Sequence, residues 1–328
     1  MRPILATTLA TMYGLTMHLL YGFFDAALSV MSLAFMGLVP VLIGFITVIL
    51  APKKTRISNT GAFFRPWATT LILLFATIAL SMEGAICWIM VYPFFAVMAG
   101  LGGLWANSIR RKRQREEEGS EPFDWEKRDT LRLSLLALVL PLFTGFLEGE
   151  RSSSGQGLVT TRSVLIDAPP EAVWAAMEGT HAALPRTGFR VSTAIGFPRH
   201  LRTESEPFAV GARRRAIYEK GLVFDETVTQ CVPARALDLA VHIDPKKVPP
   251  TVLDEHIVIG GKHVQVEEDR YRLEPLPGGR TRLSLASSYR IYTPFNWYAG
   301  LWSRFLMGDI LGGELALVKA RAEIKIQK

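Results

Sequence analysis

Cysteine is scarce in this chain. Cys87 and Cys231 are the only two in 328 residues, too few for a disulfide framework or for a thiolate zinc centre. Charge is scarce as well. Asp, Glu, Lys and Arg make up 20% of the chain against 49% hydrophobic residues, with a mean hydropathy of +0.22, which excludes disorder, collagen and coiled coil. No Gly-x-Ser-x-Gly elbow is present and no histidine lies near Cys231 in sequence, so nucleophile chemistry of the serine or cysteine type has no support. Asp254, His256 and His263 flank Gly260 and Gly261, yet their spacing matches no zinc signature. Neither a metal nor a cofactor is expected.

What the first half has instead is uncharged length. Residues 4–24, 26–50, 66–82 and 85–109 contain no Asp, Glu, Lys or Arg, and a bilayer is crossed by about 20 apolar residues. A fifth, shorter candidate covers 131–147, where Arg132 can snorkel to the headgroups. A signal peptide is the alternative for the first segment, but Arg2 is a thin basic region and no small-residue cleavage site follows. With five spans, 13 basic residues fall in the segments on one side, from Arg2 through Lys53, Arg65 and Arg110 to Arg132, and none in the turns around Asp25 and Glu83. Positive charge stays inside. The expectation is an integral protein of the inner or plasma membrane with a cytoplasmic amino terminus, an outward carboxy-terminal domain and the lipid bilayer as partner. The basic run 110–115 then serves topology. From residue 149 onward the net charge is +4, too mild for a polyanion binder, so no nucleic acid is expected. His18, single and neutral within the first span, reads as a packing residue.

Residues 1–150 thus form a membrane domain, 151–157 a polar linker rich in serine and glycine, and 158–328 a second domain. A strand candidate at 158–167 leads into a short helix opened by Pro169-Pro170 and carrying Val173, Trp174 and Met177 at helical spacing. Strand candidates follow at 213–218, 222–229, 237–243, 263–274 and 281–292, the last two joined by the hairpin signal Pro277-Gly278-Gly279. A long helix at 297–325 closes the chain, with an apolar stripe assigned to Leu301, Phe305, Leu311, Leu315, Val318 and Ala322.

This order resembles the START/polyketide cyclase (SRPBCC) superfamily. The resemblance is carried by Val164-Leu165-Ile166-Asp167-Ala168-Pro169-Pro170-Glu171-Ala172-Val173-Trp174, by the hairpin from Tyr271 through Pro277-Gly278-Gly279 to Leu283, and by the closing helix. It covers about half the chain and implies a helix-grip fold, a curved antiparallel sheet around the long helix, with an apolar cavity between them. Family members include lipid carriers, cyclases and regulators, so the resemblance speaks to fold more than to activity.

Alternation places Tyr271, Leu273, Leu283, Leu285, Ser287 and Tyr289 on the face toward the helix, with Asp269 near the mouth. Leu222, Phe224, Glu226 and Val228 share a face of another strand, which puts one carboxylate among apolar neighbours. That carboxylate could act as a general acid, or it could face outward or pair with an arginine. The triplet Arg213-Arg214-Arg215 alternates and reads by default as a solvated strand face. Expected ligand contacts are Phe224, Tyr271, Leu273, Leu285, Ser287, Tyr289, Leu301, Phe305 and Gly312, and weak catalytic candidates are Glu226, Asp269 and Tyr271. Glycines Gly308, Gly312 and Gly313 interrupt the long helix at about 1 kcal/mol each relative to alanine, and Gly312 is expected to leave room for a ligand. Trp297, Tyr298 and Trp302 read as core packing or as an interfacial belt. Three functions remain open: a membrane-anchored binder of a lipid or other hydrophobic small molecule without a covalent step, a cyclase, dehydrase or hydrolase acting in the same cavity, and a structural partner in an envelope complex.

Overall fold

The computed structural model describes residues 2–24, 28–52, 55–80, 82–117, 139–148, 154–182, 190–247 and 259–326. The chain divides into two compact units, Met1–Glu83 with Trp88–Ser152, and Gly84–Cys87 with Ser153–Lys328.

The first unit is helical: α1 (Arg2–Phe23), a π-helical turn (Ala34–Leu38) running into α2 (Val39–Ile49), α3 (Asn59–Ala79), α4 (Ala85–Glu117) and α5 (Val139–Glu148). Among the described residues three segments are long and apolar enough to cross a membrane, Ile4–Phe23, Asn59–Ala79 and Ile86–Gln114, while Ala34–Ile49 and Val139–Glu148 are shorter apolar helices. Five spans were expected. Among its described residues the uncharged stretch 26–50 forms the short helix Ala34–Ile49, and the described part of the fifth begins at Val139. Two helices outrun the uncharged windows that announced them. Ser58 caps α3 by accepting a hydrogen bond from Gly61 N, and α4 continues through the basic run because Arg, Lys, Gln and Glu are good helix formers.

Glycine sets the helix spacing. A Cβ on Gly44 of α2 would lie 1.8 Å from Ala99 O of α4, and one on Gly102 of α4 would lie 1.8 Å from Val41 O. Backbone therefore touches backbone, the close approach that small residues permit between apolar helices. Arg110 is buried and donates to Val48 O and Ile49 O, both at 3.3 Å, and beyond them to Ala51 O at 2.6 Å and Pro52 O at 2.8 Å, satisfying carbonyls at and just past the carboxy end of α2. The other end of that helical run is served by Glu148, which accepts from Leu33 N and Ala34 N. His18 is buried, with Nε2 3.4 Å from Glu83.

The second unit holds one antiparallel sheet and a long helix. Its elements are β1 (Gln156–Ile166), α6 (Pro170–Met177), β2 (His181–Ala182), α7 (Val191–Ala194), β3 (His200–Ser205), β4 (Arg213–Tyr218), β5 (Val223–Val232), β6 (Ala236–His242), β7 (Val264–Leu276), β8 (Arg280–Ile291) and α8 (Asn296–Ile326). The strand order is β1-β8-β7-β6-β5-β4-β3-β2. Shifts in pairing at Val228/Gln230 and Val266/Glu268 mark bulges, which bend and twist a sheet. The sheet curls around α8. This is the helix-grip arrangement. Its apolar core joins Leu158, Ile166, Val173, Leu237, Leu239, Leu283 and Leu285 to Met307, Leu311, Leu315, Val318 and Ala322 of α8.

The amino-terminal half of the assigned stripe on α8 is corrected. Leu301 is 60% exposed and Phe305 49% exposed. At about 100° per residue, Phe305 lies about 120° around the helix from Leu311, so the two cannot share a face. The inward face continues from Leu311 back through Met307 to Gly300, whose backbone sits beside Ile291 and Leu158. Trp297, at 65% exposure, is not a core residue, whereas Phe295 is buried.

Candidate functional site

Two neighbouring strands place an ion pair inside the sheet. In β4 the inward positions are Arg214, Ala216 and Tyr218, and in β5 Arg214 stands opposite Glu226. Arg214 and Glu226 are 5% exposed. The guanidinium donates to Glu226 Oε2 through Nη1 and to Glu314 Oε1 of α8 at 2.6 Å through Nη2. Its Cζ lies 5.9 Å from the centre of the Tyr271 ring, within cation–π range. Across the sheet, β7 and β8 pair Asp269 with Ser287 and Tyr271 with Leu285, which brings a third carboxylate to the same space.

These side chains line a cavity of about 40 Å³ together with Phe224, Ile259, Val266, Met307, Ile310 and Leu311. That volume holds one or a few waters. Small-molecule sites span roughly 300–1,000 Å³. Asp269 Oδ1 is buried without a hydrogen-bond partner among the described residues.

The charges are unequal. Arg214 is held fully protonated: burial works against its charge, but Glu226, Tyr271 and Glu314 outweigh that penalty. Burial pushes the Glu226 carboxyl up to about 7, with Arg214 opposing the rise and Asp269 adding to it. Burial likewise raises Asp269 to about 6, partly offset by Ser287 and Arg214. Glu314 goes the other way. Although buried, it sits below its ordinary value because Arg214, His200 and Arg321 all face it. Burial lowers His200 and raises the Tyr218 and Tyr271 hydroxyls out of any titrating role. Near neutral pH the cluster thus has one firmly ionised carboxylate, Glu314, and two carboxyls, Glu226 and Asp269, poised to hold or release a proton.

Of the residues singled out from sequence, Phe224, Glu226, Asp269, Tyr271, Leu285 and Ser287 line this cavity. Leu273 and Tyr289 are buried in the adjoining core, with the Tyr289 hydroxyl 3.0 Å from Thr160 Oγ1. Leu301 and Phe305 face outward. Gly312 does not reach the cavity: a Cβ there would meet Arg190 Nη1 at 2.9 Å, and one on Gly308 would meet Arg162 Nη2 at 2.4 Å. The glycines make room for guanidinium groups, not for an interior ligand. His263 Nδ1 bonds with Tyr292 O, while Asp254 and His256 lie outside the described residues. Arg214 and Glu314 were not expected in the site. For both the periodicity carried the information: Arg214 has the inward parity of Ala216 and Tyr218, and Glu314 falls three residues after Leu311 and four before Val318.

No protein-family model matches the sequence, and no curated protein does. Solved structures do match, over the carboxy-terminal half. The aromatase/cyclase ZhuI from Streptomyces sp. R1128 is similar at 15% identity, covering 52% of this chain and 96% of its own, with a TM-score of 0.34. A START superfamily protein from Mycobacterium smegmatis is similar at 14% identity over 51% of this chain and 98% of its own, with a TM-score of 0.34. Truncated norcoclaurine synthase from Thalictrum flavum gives 11% identity over 53% of this chain and 97% of its own, with a TM-score of 0.33.

Proposed function

We propose that the helix-grip unit binds an apolar small molecule by its one polar group, and that the helical unit anchors the chain in a membrane. The observation that carries the binding reading is Asp269 Oδ1, buried without a hydrogen-bond partner among the described residues, in a cavity where the polar side chains of Arg214, Tyr218, Glu226, Tyr271, Ser287 and Glu314 meet the apolar walls of Phe224, Val266, Leu285, Met307 and Ile310. A buried acceptor without a donor costs stability, and a ligand hydroxyl or amine supplies the missing donor. Because about 40 Å³ admits water only, the ligand enters by moving side chains. Met307 is suited to yield, being unbranched and adaptable. Anchoring is supported by the three long apolar helices and by the large side chains they leave exposed, among them Ile4, Leu19, Phe75 and Trp105. The outward orientation rests on the placement of basic residues and requires the shorter helices Ala34–Ile49 and Val139–Glu148 to cross as well.

A second reading is favoured by the raised values at Glu226 and Asp269. A carboxyl near 7 donates a proton at neutral pH, so the same pocket is equipped for general-acid chemistry on its ligand. The test uses the full chain in nanodiscs and N-phenyl-1-naphthylamine, an apolar probe with one N–H donor. Native mass spectrometry should show one probe per chain. Met307→Trp and Ile310→Phe, each filling the space, should exclude it, and Asp269→Asn should weaken it. No uptake by the unaltered chain, or equal uptake by the filled variants, sinks the reading.

A further inference from the structure

The opposite flank of α8 carries an independent feature. Between β1 and α8 runs a groove of about 380 Å³ that shares no lining residue with the interior cavity. Its floor is apolar, formed by Val164, Leu315 and Ala320, and its rim carries Arg162, Arg190 and Lys319 with one carboxylate, Glu323. Two glycines one helical turn apart, Gly308 and Gly312, seat the Arg162 and Arg190 guanidinium groups against the helix backbone. The two glycine positions lie about 5–6 Å apart at this spacing, so the two guanidinium groups rest on successive turns of the same helix.

Their compensation is thin. Arg162 bonds only to Thr161 O at 3.3 Å and has no carboxylate within ion-pair distance among the described residues. Arg190 donates to Gly312 O, stands 3.9 Å from Asp309, and keeps Nε buried without a partner among the described residues. Asp309 spends its other oxygen on Ser192 N and Oγ. Lys319 is matched by Glu323 at 3.5 Å. Of the two guanidinium groups at the head of this apolar trough, only Arg190 has a carboxylate within ion-pair distance among the described residues. Fixed guanidinium forks are suited to carboxylate and phosphate, and the trough has ligand-scale volume.

We propose that this groove binds a single-chain amphiphile with an anionic head, the head bridging Arg162 and Arg190 and the chain lying along Val164, Leu315 and Ala320. Carboxylate and phosphate heads share the required chemistry.

The full chain in phosphatidylcholine nanodiscs is titrated calorimetrically, against empty discs, with octyl phosphate, octanoate, octanol and inorganic phosphate. At least one of the two anionic amphiphiles should bind saturably, the tighter one identifying the head, with octanol and inorganic phosphate at least about tenfold weaker. Arg162 is exposed, so Arg162→Gln should keep the fold and weaken the anionic amphiphile at least about tenfold. N-phenyl-1-naphthylamine bound inside the sheet should not be displaced, which separates the two sites. The proposal is overturned if octanol binds as tightly as the better anionic amphiphile, if inorganic phosphate matches it, or if Arg162→Gln leaves its affinity unchanged.

Discussion

Replacing Glu226 by glutamine should stabilise the second unit at neutral pH, and the size of the effect follows from the cluster. A carboxyl raised from 4.5 to about 7 on folding binds more protons in the native chain than in the unfolded one. Its contribution is fully present below about 4.5 and is lost as pH climbs through 7. The difference corresponds to about 3 kcal/mol between those limits. Asp269 adds a loss of the same sign between 3.8 and about 6, and Glu314, whose value is lowered, contributes stability that disappears on acidification. Subtracting the variant from the parent leaves Glu226 together with its coupling to Asp269 and Glu314. The glutamine carbonyl still accepts from Arg214, so the two proteins should be equally stable near pH 4.5 and should diverge by up to about 3 kcal/mol by pH 8. Cys231, half-buried in β5, reports on this unit in a Cys87→Ser background. Urea equilibria set at each pH and read by a brief thiol-labelling pulse at one common pH give the stability. A gap that stays constant from pH 4.5 to 8 would refute the assignment of the labile proton to Glu226.

Two other perturbations probe the packing. Arg214→Leu leaves Glu226 and Glu314 buried without their cation and should cost about 3–5 kcal/mol; the triple change Arg214→Met, Glu226→Gln, Glu314→Gln should recover most of that loss, and the same labelling assay decides. In the helical unit, Gly102→Leu drives a side chain into Val41 O and should abolish the compact form seen by size-exclusion chromatography, whereas Gly22→Leu, with nothing within 4 Å of its Cβ position, should not.

Much of the sheet was legible because period-2 alternation survives wherever one face is buried. The reading that put Asp269, Tyr271 and Leu273 together with Leu285 and Ser287 agrees with the β7–β8 pairing. β2 was not legible, having two residues, and neither was β3, whose His200-Leu201-Arg202-Thr203-Glu204-Ser205 is polar on both faces. Arg214 escaped notice because a run of three arginines suggests solvent; the deciding fact, a carboxylate directly opposite on β5, belongs to pairing and not to β4 alone. Glu314 was obscured by the same habit of placing charge outside. On α8 the error was angular: apolar residues at 301 and 305 were joined to a stripe although they are rotated from Leu311 by about 80° and about 120°. The glycines were rightly singled out as needing compensation, but what fills the space above them comes from Arg162 and Arg190, distant in sequence.

The inward guanidinium on β4 also bears on how the sheet assembles. Sliding β4 by one residue against β5 exchanges its two faces: Arg214, Ala216 and Tyr218 would turn to water, and Arg213, Arg215 and Ile217 would enter the core. The interior would then receive two cations where it now accommodates one, at a cost of several kcal/mol for the additional buried ion. Three arginines in a row, uninformative as a surface, thereby act as a proofreading mark for strand alignment, one that rejects a misaligned nascent sheet even if the mature protein draws little net stability from the pair.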